Sequence, residues 1–274
     1  MGTDHGDAMA RGTVTTWAGA TRVAASAAGV RGVWLPGWRG SDEAAVAAIG
    51  PRPWDGSRVE IAIQQGGAGE GSAERHLRQA LAELGEFFAG TRREFTVALD
   101  PQGPAFFAEV WAAVTAVPYG ETRAYGEIAR VVGQPEAPRA VGAANGANPV
   151  APFVPCHRIV GSDGRLTGYG PGLPLKRLLL RMEDAIPGGP DDYEAWIARV
   201  TERRGGKLVL GVRPTRTACD PDCAVARRHL DRPARFFHKT DEALAAGFAR
   251  CGVCGAGQAT VSAAAAGLWG AAAG

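Results

Sequence analysis

The sequence predicts three consecutive units. They are a small mixed α/β domain at residues 13–102, a mostly helical domain at 103–187 and a small α+β unit at 191–257, flanked by disordered tails at 1–12 and 258–274. Three observations carry this division. Short strand-like runs divided by glycine and proline turns give way at Pro104 to helical periodicity. Pro187-Gly188-Gly189-Pro190 is the clearest linker in the chain. Four of the five cysteines lie beyond it, and the fifth, Cys156, stands alone before it.

In the first unit, Thr13–Trp17, Thr21–Ala25, Val30–Leu35, Val59–Ile63 and Phe95–Asp100 read as strands. Leu77, Leu81, Leu84 and Phe88 mark the apolar face of one helix, closed by Gly90. In the second, Phe107, Val110, Trp111 and Val114 recur at helical spacing, and Tyr119-Gly120-Glu121-Thr122 breaks that helix. Tyr125–Val132 and a helix entered through Pro135–Pro138 form a helix-turn-helix, Val150–Val160 reads as extended, and Leu173–Glu183 as a last helix. The third unit has a helix near Tyr193–Arg203 and a strand near Leu208–Val212. The Gly188-Gly189 linker predicts that it folds independently of the second.

At 46% hydrophobic residues the chain can fill real cores. No basic leader precedes an apolar run at the N-terminus, and no stretch of about 18 apolar residues occurs, so secretion and a membrane span are not expected. The chain reads as cytoplasmic and monomeric. Its net charge of +2 points to no general polyanion affinity, so any contact to a polyanion must come from local geometry.

Cys156 is followed by His157 in Val154-Pro155-Cys156-His157-Arg158. A thiol attacks carbon as the thiolate, so a base must take its proton, and His157 can do so directly or through a water. Glu183 is the leading carboxylate to orient that histidine. A lone Cys-His pair is more often inert filler than a site; here the surroundings decide. Arg139-Ala140-Val141-Gly142, Asn148-Pro149, Pro155–Arg158, Thr167-Gly168-Tyr169 and Leu178–Glu183 follow one another in order, preceded by Val110-Trp111, Pro118–Thr122 and Tyr125–Ala129. Together these blocks resemble the O6-alkylguanine-DNA alkyltransferase family over Gly103 to Glu183.

The resemblance implies a ribonuclease-H-like first domain and a winged-helix-like catalytic domain. It implies irreversible, single-turnover transfer of an alkyl group from O6 of guanine, and O4 of thymine, in double-stranded DNA to Cys156. His157 then matches the proton partner, Glu183 the orienting carboxylate and Asn148 the residue bracing the active-site turn. Tyr125 matches the tyrosine that presses on a phosphate and helps protonate the leaving guanine, and Arg139 the finger that fills the stack. Tyr169 and Pro155 match walls of the guanine pocket, while Ala140, Gly142, Ala143 and Arg158 join the DNA-facing set. Guanine O6 is inaccessible within a duplex, so the nucleotide must be flipped. The family's turn usually reads Tyr-x-Gly-Gly-Leu; here it is Tyr169-Gly170-Pro171-Gly172-Leu173, and the proline removes an N–H from the alkyl pocket.

Cys219-x3-Cys223 and Cys251-x2-Cys254, with 27 residues between the pairs, supply four thiolates suited to one tetrahedral zinc ion, with no organic cofactor. His229 and His238 are superfluous as ligands. The segment resembles the metal-binding domain of the adaptive-response protein Ada, through Asp191-Asp192, Trp196, Leu208–Arg213, Phe236-Phe237 and Glu242–Phe248. That family's first cysteine, matching Cys219, accepts methyl groups from DNA phosphotriesters, and in Ada the module precedes the alkyltransferase instead of following it. Asp220 and Asp222 add carboxylates beside the thiolates, which disfavours a phosphate backbone. The readings open at this point are phosphotriester repair, a structural zinc module that helps hold DNA or a partner, and neither of these. For the whole chain, a non-catalytic lesion sensor and an Ada-like regulator are the alternatives.

Overall fold

The computed structural model describes residues 9–37, 59–64 and 71–255. The expected C-terminal tail at 258–274 lies outside these residues, as does most of the N-terminal one. Residues 10–12, expected in that tail, are strand. Four antiparallel strands, β1 (Ala10–Thr16), β2 (Gly19–Ala25), β3 (Val30–Trp34) and β4 (Glu60–Gln64), form a sheet in the order β3-β2-β1-β4. Helix α1 (Ser72–Phe88) covers one face and buries Leu77, Leu81, Leu84, Phe87 and Phe88 completely. Gly12 permits this approach, because a Cβ there would sit 2.7 Å from the Leu81 side chain.

Phe95–Asp100, expected as a strand, is irregular apart from one bridge between Val30 and Leu99. The cause is a side chain. Buried Glu83 on α1 accepts the main-chain N–H groups of Thr96 (2.9 Å) and Val97 (3.2 Å), which removes them from any ladder.

Helix α2 (Ala105–Thr115) leads through the short strand β5 (Arg123–Ala124) to α3 (Tyr125–Val131) and α4 (Pro138–Gly146). These last two pack on each other as the expected helix pair. The segment 150–160, expected as extended, is a series of turns with a 3-10 turn at Cys156–Arg158, then strand β6 (Ile159–Val160) parallel to β5. Pro152 and Pro155 supply no N–H to a ladder, so the chain turns instead. Helix α5 (Leu173–Met182) completes this part. One buried apolar cluster runs from Val14 and Leu77 to Val141, Ile159 and Leu179, so the first two units share a core.

Beyond the linker come α6 (Tyr193–Arg204), β7 (Val209–Val212), β8 (Thr217–Cys219), α7 (Ala224–Arg227), β9 (Arg235–Phe237), α8 (Thr240–Ala245) and β10 (Ala249–Arg250). The sheet order is β10-β8-β7-β9. Ion pairs cross between this unit and the helical domain, Arg204–Glu121, Arg213–Glu127 and Arg235–Glu127 among them.

Candidate active site and thiolate cluster

Cys156 opens the 3-10 turn and is 5% exposed. The loop before it is fixed from both sides by Asn148, whose Nδ2 donates to Val154 O (2.8 Å) while its Oδ1 accepts from Val150 N (3.0 Å). Asn145 Nδ2 donates to Cys156 O at 3.3 Å. Burial pushes the Cys156 thiol above its ordinary pKa, against the opposing pull of Asn148 and the Lys176 ammonium. A thiol raised by burial needs a base to ionise it.

That base adjoins it. His157 is fully buried, and its Nε2 lies 2.9 Å from Glu183 Oε1. A carboxylate at Nε2 selects the tautomer with hydrogen on that atom, leaving Nδ1 as the lone-pair nitrogen. His157 Nδ1 is buried and finds no hydrogen-bond partner among the described residues. Burial depresses the His157 pKa, against Glu183. Burial would raise the Glu183 carboxyl, but the Arg158 guanidinium and His157 hold it down at about 2. An ionised carboxylate beside a neutral imidazole is poised to stabilise the imidazolium once His157 takes a proton.

Arg158 corrects an expectation. Sequence reasoning placed it against DNA, yet it is 5% exposed. Its Nε and Nη2 donate to the two Glu183 oxygens, each at 2.9 Å, and its Nη1 donates to Val117 O at 2.6 Å. Its task is to keep Glu183 charged.

Lys176 is the residue sequence reasoning missed. It sits among the buried leucines of α5 with Nζ donating to Ile159 O (2.6 Å) and Thr167 O (2.8 Å). Burial lowers its pKa to about 8, against the attraction of Cys156. The one available signal was weak: Lys176 follows Leu173-Pro174-Leu175 and falls at helical spacing with the leucines of α5, but Arg177 beside it makes the pair look like an ordinary basic surface.

Tyr169 stands edge-on to His157, ring centroids 6.5 Å apart, with its hydroxyl buried. Pro171 forms part of the turn closed by Gly172 N to Tyr169 O (2.9 Å), and Gly172 takes φ +107° there. Pro155 is buried beside Cys156. On the helix pair, Arg139, Ala140 and Ala143 are exposed, and a Cβ on Gly142 would lie 3.8 Å from the Tyr125 ring. Tyr125 begins α3 and is half-buried.

In the third unit, the Sγ atoms of Cys219, Cys223, Cys251 and Cys254 lie within 4.8 Å of one another. Four sulfurs at about 2.3 Å from one zinc ion would stand about 3.8 Å apart, and Cys223 and Cys251 stand 3.7 Å apart. Asp220 N and Val253 N point at the Cys254 and Cys251 sulfurs (3.4 and 3.5 Å), as thiolates require. The donor set fits one zinc ion without His229 or His238.

Two family models match the chain. Residues 105–185 match the model described as 6-O-methylguanine DNA methyltransferase, DNA binding domain, and residues 192–256 match the metal binding domain of Ada. The methylated-DNA–protein-cysteine methyltransferase of Methanosarcina acetivorans is 51% identical over 110 residues, 40% of this chain and 70% of that protein. The protein of that name from Mycolicibacterium paratuberculosis is 55% identical over 109 residues, 40% of this chain and 66% of that protein. A crystal structure of Mycobacterium tuberculosis OGT in complex with DNA aligns at TM-score 0.48 and 36% identity, covering 62% of this chain and 90% of that one. These matches make the chain a cysteine-acceptor methyltransferase. The chain belongs to the methylated-DNA–protein-cysteine methyltransferase family.

Proposed function

We propose that this chain repairs DNA by direct reversal, moving a methyl or larger alkyl group from O6 of guanine onto Cys156 Sγ once per molecule. The observation that carries the reading is buried Cys156 followed in the chain by His157, whose Nε2 meets Glu183 held by Arg158 and whose Nδ1 is buried and unclaimed. His157 Nδ1 takes the thiol proton, directly or through a water, and Glu183 stabilises the imidazolium. The thiolate forms the S–C bond as the C–O bond breaks, and the guanine leaves as O6 anion to be protonated, with Tyr125 assisting. The thioether carries a poor leaving group and resists nucleophilic displacement in water, so Cys156 is consumed and turnover is single.

Exposed Arg139, Ala140 and Ala143 support a DNA-facing α4, with Arg139 filling the stack vacated by the flipped nucleotide. The four-stranded sheet under one helix supports the ribonuclease-H-like reading of the first unit, and β5–β6 beside the helix pair the winged-helix-like reading of the second. Division at 102/103 and 187/191 remains our assignment of domains. No helix among the described residues is long and apolar enough to cross a membrane; a cytoplasmic, nucleoid-associated monomer fits the same reading.

Intact-protein mass after incubation with O6-methylguanine duplex tests it. One methyl group per chain, mapped to Cys156, is the expected result, and uptake that survives Cys156→Ala overturns it. A lesion sensor is disfavoured by Cys156 itself. For the third unit we favour a structural zinc module over phosphotriester repair, because Cys219 is fully buried and Asp222 is exposed beside it. Methyl uptake from a phosphotriester by wild type and not by Cys219→Ser would reverse that preference.

A further inference from the structure

Two of the places where the third unit touches the catalytic domain each carry a functional side chain. The first is the end of α5. A helix terminus leaves its last carbonyls without partners. Here Met182 O accepts from Tyr119 Oη (2.9 Å), Glu183 O from Arg203 Nη1 (2.8 Å), and Asp184 O from Trp196 Nε1 (2.9 Å). Two of these three donors belong to α6. Asp184 has φ +54°, a costly conformation for a non-glycine residue, and its carboxylate is held by Arg199 Nε at 2.8 Å. The contact closes on Gly120, whose N–H reaches Glu183 Oε2 at 3.4 Å and where a Cβ would stand 2.6 Å from the Arg203 guanidinium. Glu183 is thereby fixed twice, by its side chain to the relay and by its main chain to α6.

The second place is the start of α3. Glu127 caps this helix by accepting from Ala124 N at 2.7 Å. The same carboxylate accepts from Arg213 Nη1 (3.1 Å) and Arg235 Nη1 (2.7 Å). Arg213 is 5% exposed, and its Nη2 also donates to Thr122 O at 3.0 Å. Exposed ion pairs contribute little, but a buried guanidinium on a helix cap resists displacement because either partner would be left charged and desolvated. The helix so anchored begins with Tyr125.

We propose that the four-cysteine unit is part of the alkyl-transfer machinery, with Arg203 and Arg213 as positioning residues that hold Glu183 and Tyr125 in register. This rests on the repair reading above. Both arginines belong to the unit folded around the thiolate cluster: Arg203 closes α6, whose Trp196 shares a core with Cys219, Cys223 and Cys251, and Arg213 follows β7 of the same sheet. Order at the metal site therefore reaches the Glu183 relay through α6 and the Tyr125 helix through β7.

The test uses the full chain, loaded with zinc, in single-turnover methyl transfer from O6-methylguanine duplex and from free O6-benzylguanine. Arg203→Met should slow both substrates about tenfold, since a displaced relay group costs rate wherever the alkyl group comes from. It should also shift the pH profile of transfer to the free base, and Arg203→Lys, which keeps a donor to Glu183 O, should restore much of the rate. Arg213→Met should slow the duplex reaction about tenfold more than the free-base reaction, because Tyr125 meets the duplex. Zinc content and the His157 imidazole resonance report folding and relay geometry separately. Variants as fast as wild type, or equal losses on both substrates with an unmoved pH profile, would overturn the proposal. Should Arg203→Met lose its zinc, the Arg203→Lys protein carries the comparison. A wild-type protein that takes no methyl group from duplex would refute the repair reading instead.

Discussion

Cys156 and the four cysteines of the third unit are the same chemical group placed in opposite settings. Around Cys156 the protein gathers an imidazole, a buried lysine and an amide, and burial favours the proton on sulfur. Around Cys219, Cys223, Cys251 and Cys254 it gathers other sulfurs and main-chain N–H groups. A thiol with one base nearby can be consumed once by an electrophile. Four converging thiolates are suited to sharing a cation, and their charge is then no longer available for attack on carbon. Sequence spacing separated the two cases correctly, because isolation and pairing are visible along the chain, whereas the environment that makes the lone thiol usable is not.

The largest effect should come from the shared set. Cys223→Ser removes a ligand from a unit with little core of its own, and structural zinc contributes about 10 kcal/mol or more to such folds. Loss of bound zinc by metal analysis, with loss of amide protection after residue 191, is the expected outcome. Retained protection without metal would break the comparison at its first term.

Next comes Glu183→Gln. It leaves the Arg158 guanidinium buried without its anion, at a cost of about 3–5 kcal/mol in denaturant unfolding, and should slow transfer to Cys156 about a hundredfold or more. Acidity probes the same group. The folded pKa of Glu183 lies below its ordinary value of 4.5, at about 2, so its contribution is present above 4.5 and is lost as pH falls from there toward 2. Acid unfolding over that interval should flatten in Glu183→Gln; an unchanged acid limb would show that other carboxylates dominate.

Arg139→Ala should cost about tenfold or more on duplex, where unstacking must be offset, and little on free base; equal losses would remove the finger role. The smallest effect belongs to Lys176→Met. Without the ammonium, the Cys156 thiol titrates higher and its alkylation by iodoacetamide slows severalfold near neutrality. Since Lys176 itself deprotonates at about 8, the gap between variant and wild type should close above that pH. A gap that persists would assign Lys176 a packing role.

The motifs around Cys156 and both cysteine pairs were legible because each is a local string whose residue types state their chemistry. The helices were legible from periodicity, down to the closing turn at Gly90, which takes φ +75°. Phe95–Asp100 was misread since its donors answer to Glu83, a residue on another element. Arg158 was misread for the same reason: an arginine beside a DNA-facing motif suggests phosphate, and only the fold brings Glu183 to within 2.9 Å of it. Lys176 was overlooked because burial of a charge is a tertiary fact. The Gly188-Gly189 linker marks the boundary, but it says nothing of the arginines that tie the third unit to the helical domain, because their partners Asp184, Glu121, Asp163 and Glu127 are brought to them only by the fold.

Those arginines bear on how the protein meets DNA. Residues 191–274 carry 12 basic and 9 acidic side chains, which by count suggests a modest polyanion-binding surface. Yet Arg199, Arg203, Arg204, Arg213, Arg232 and Arg235 pair with Asp184, Glu121, Asp163 and Glu127 of the preceding unit. A guanidinium already paired with a carboxylate displaces few condensed cations from a duplex, and each phosphate neutralised adds about 0.9 to the slope of log affinity against log salt. The duplex affinity of this chain should therefore respond to salt like that of a short helix with a single leading arginine, far more gently than its arginine count would imply.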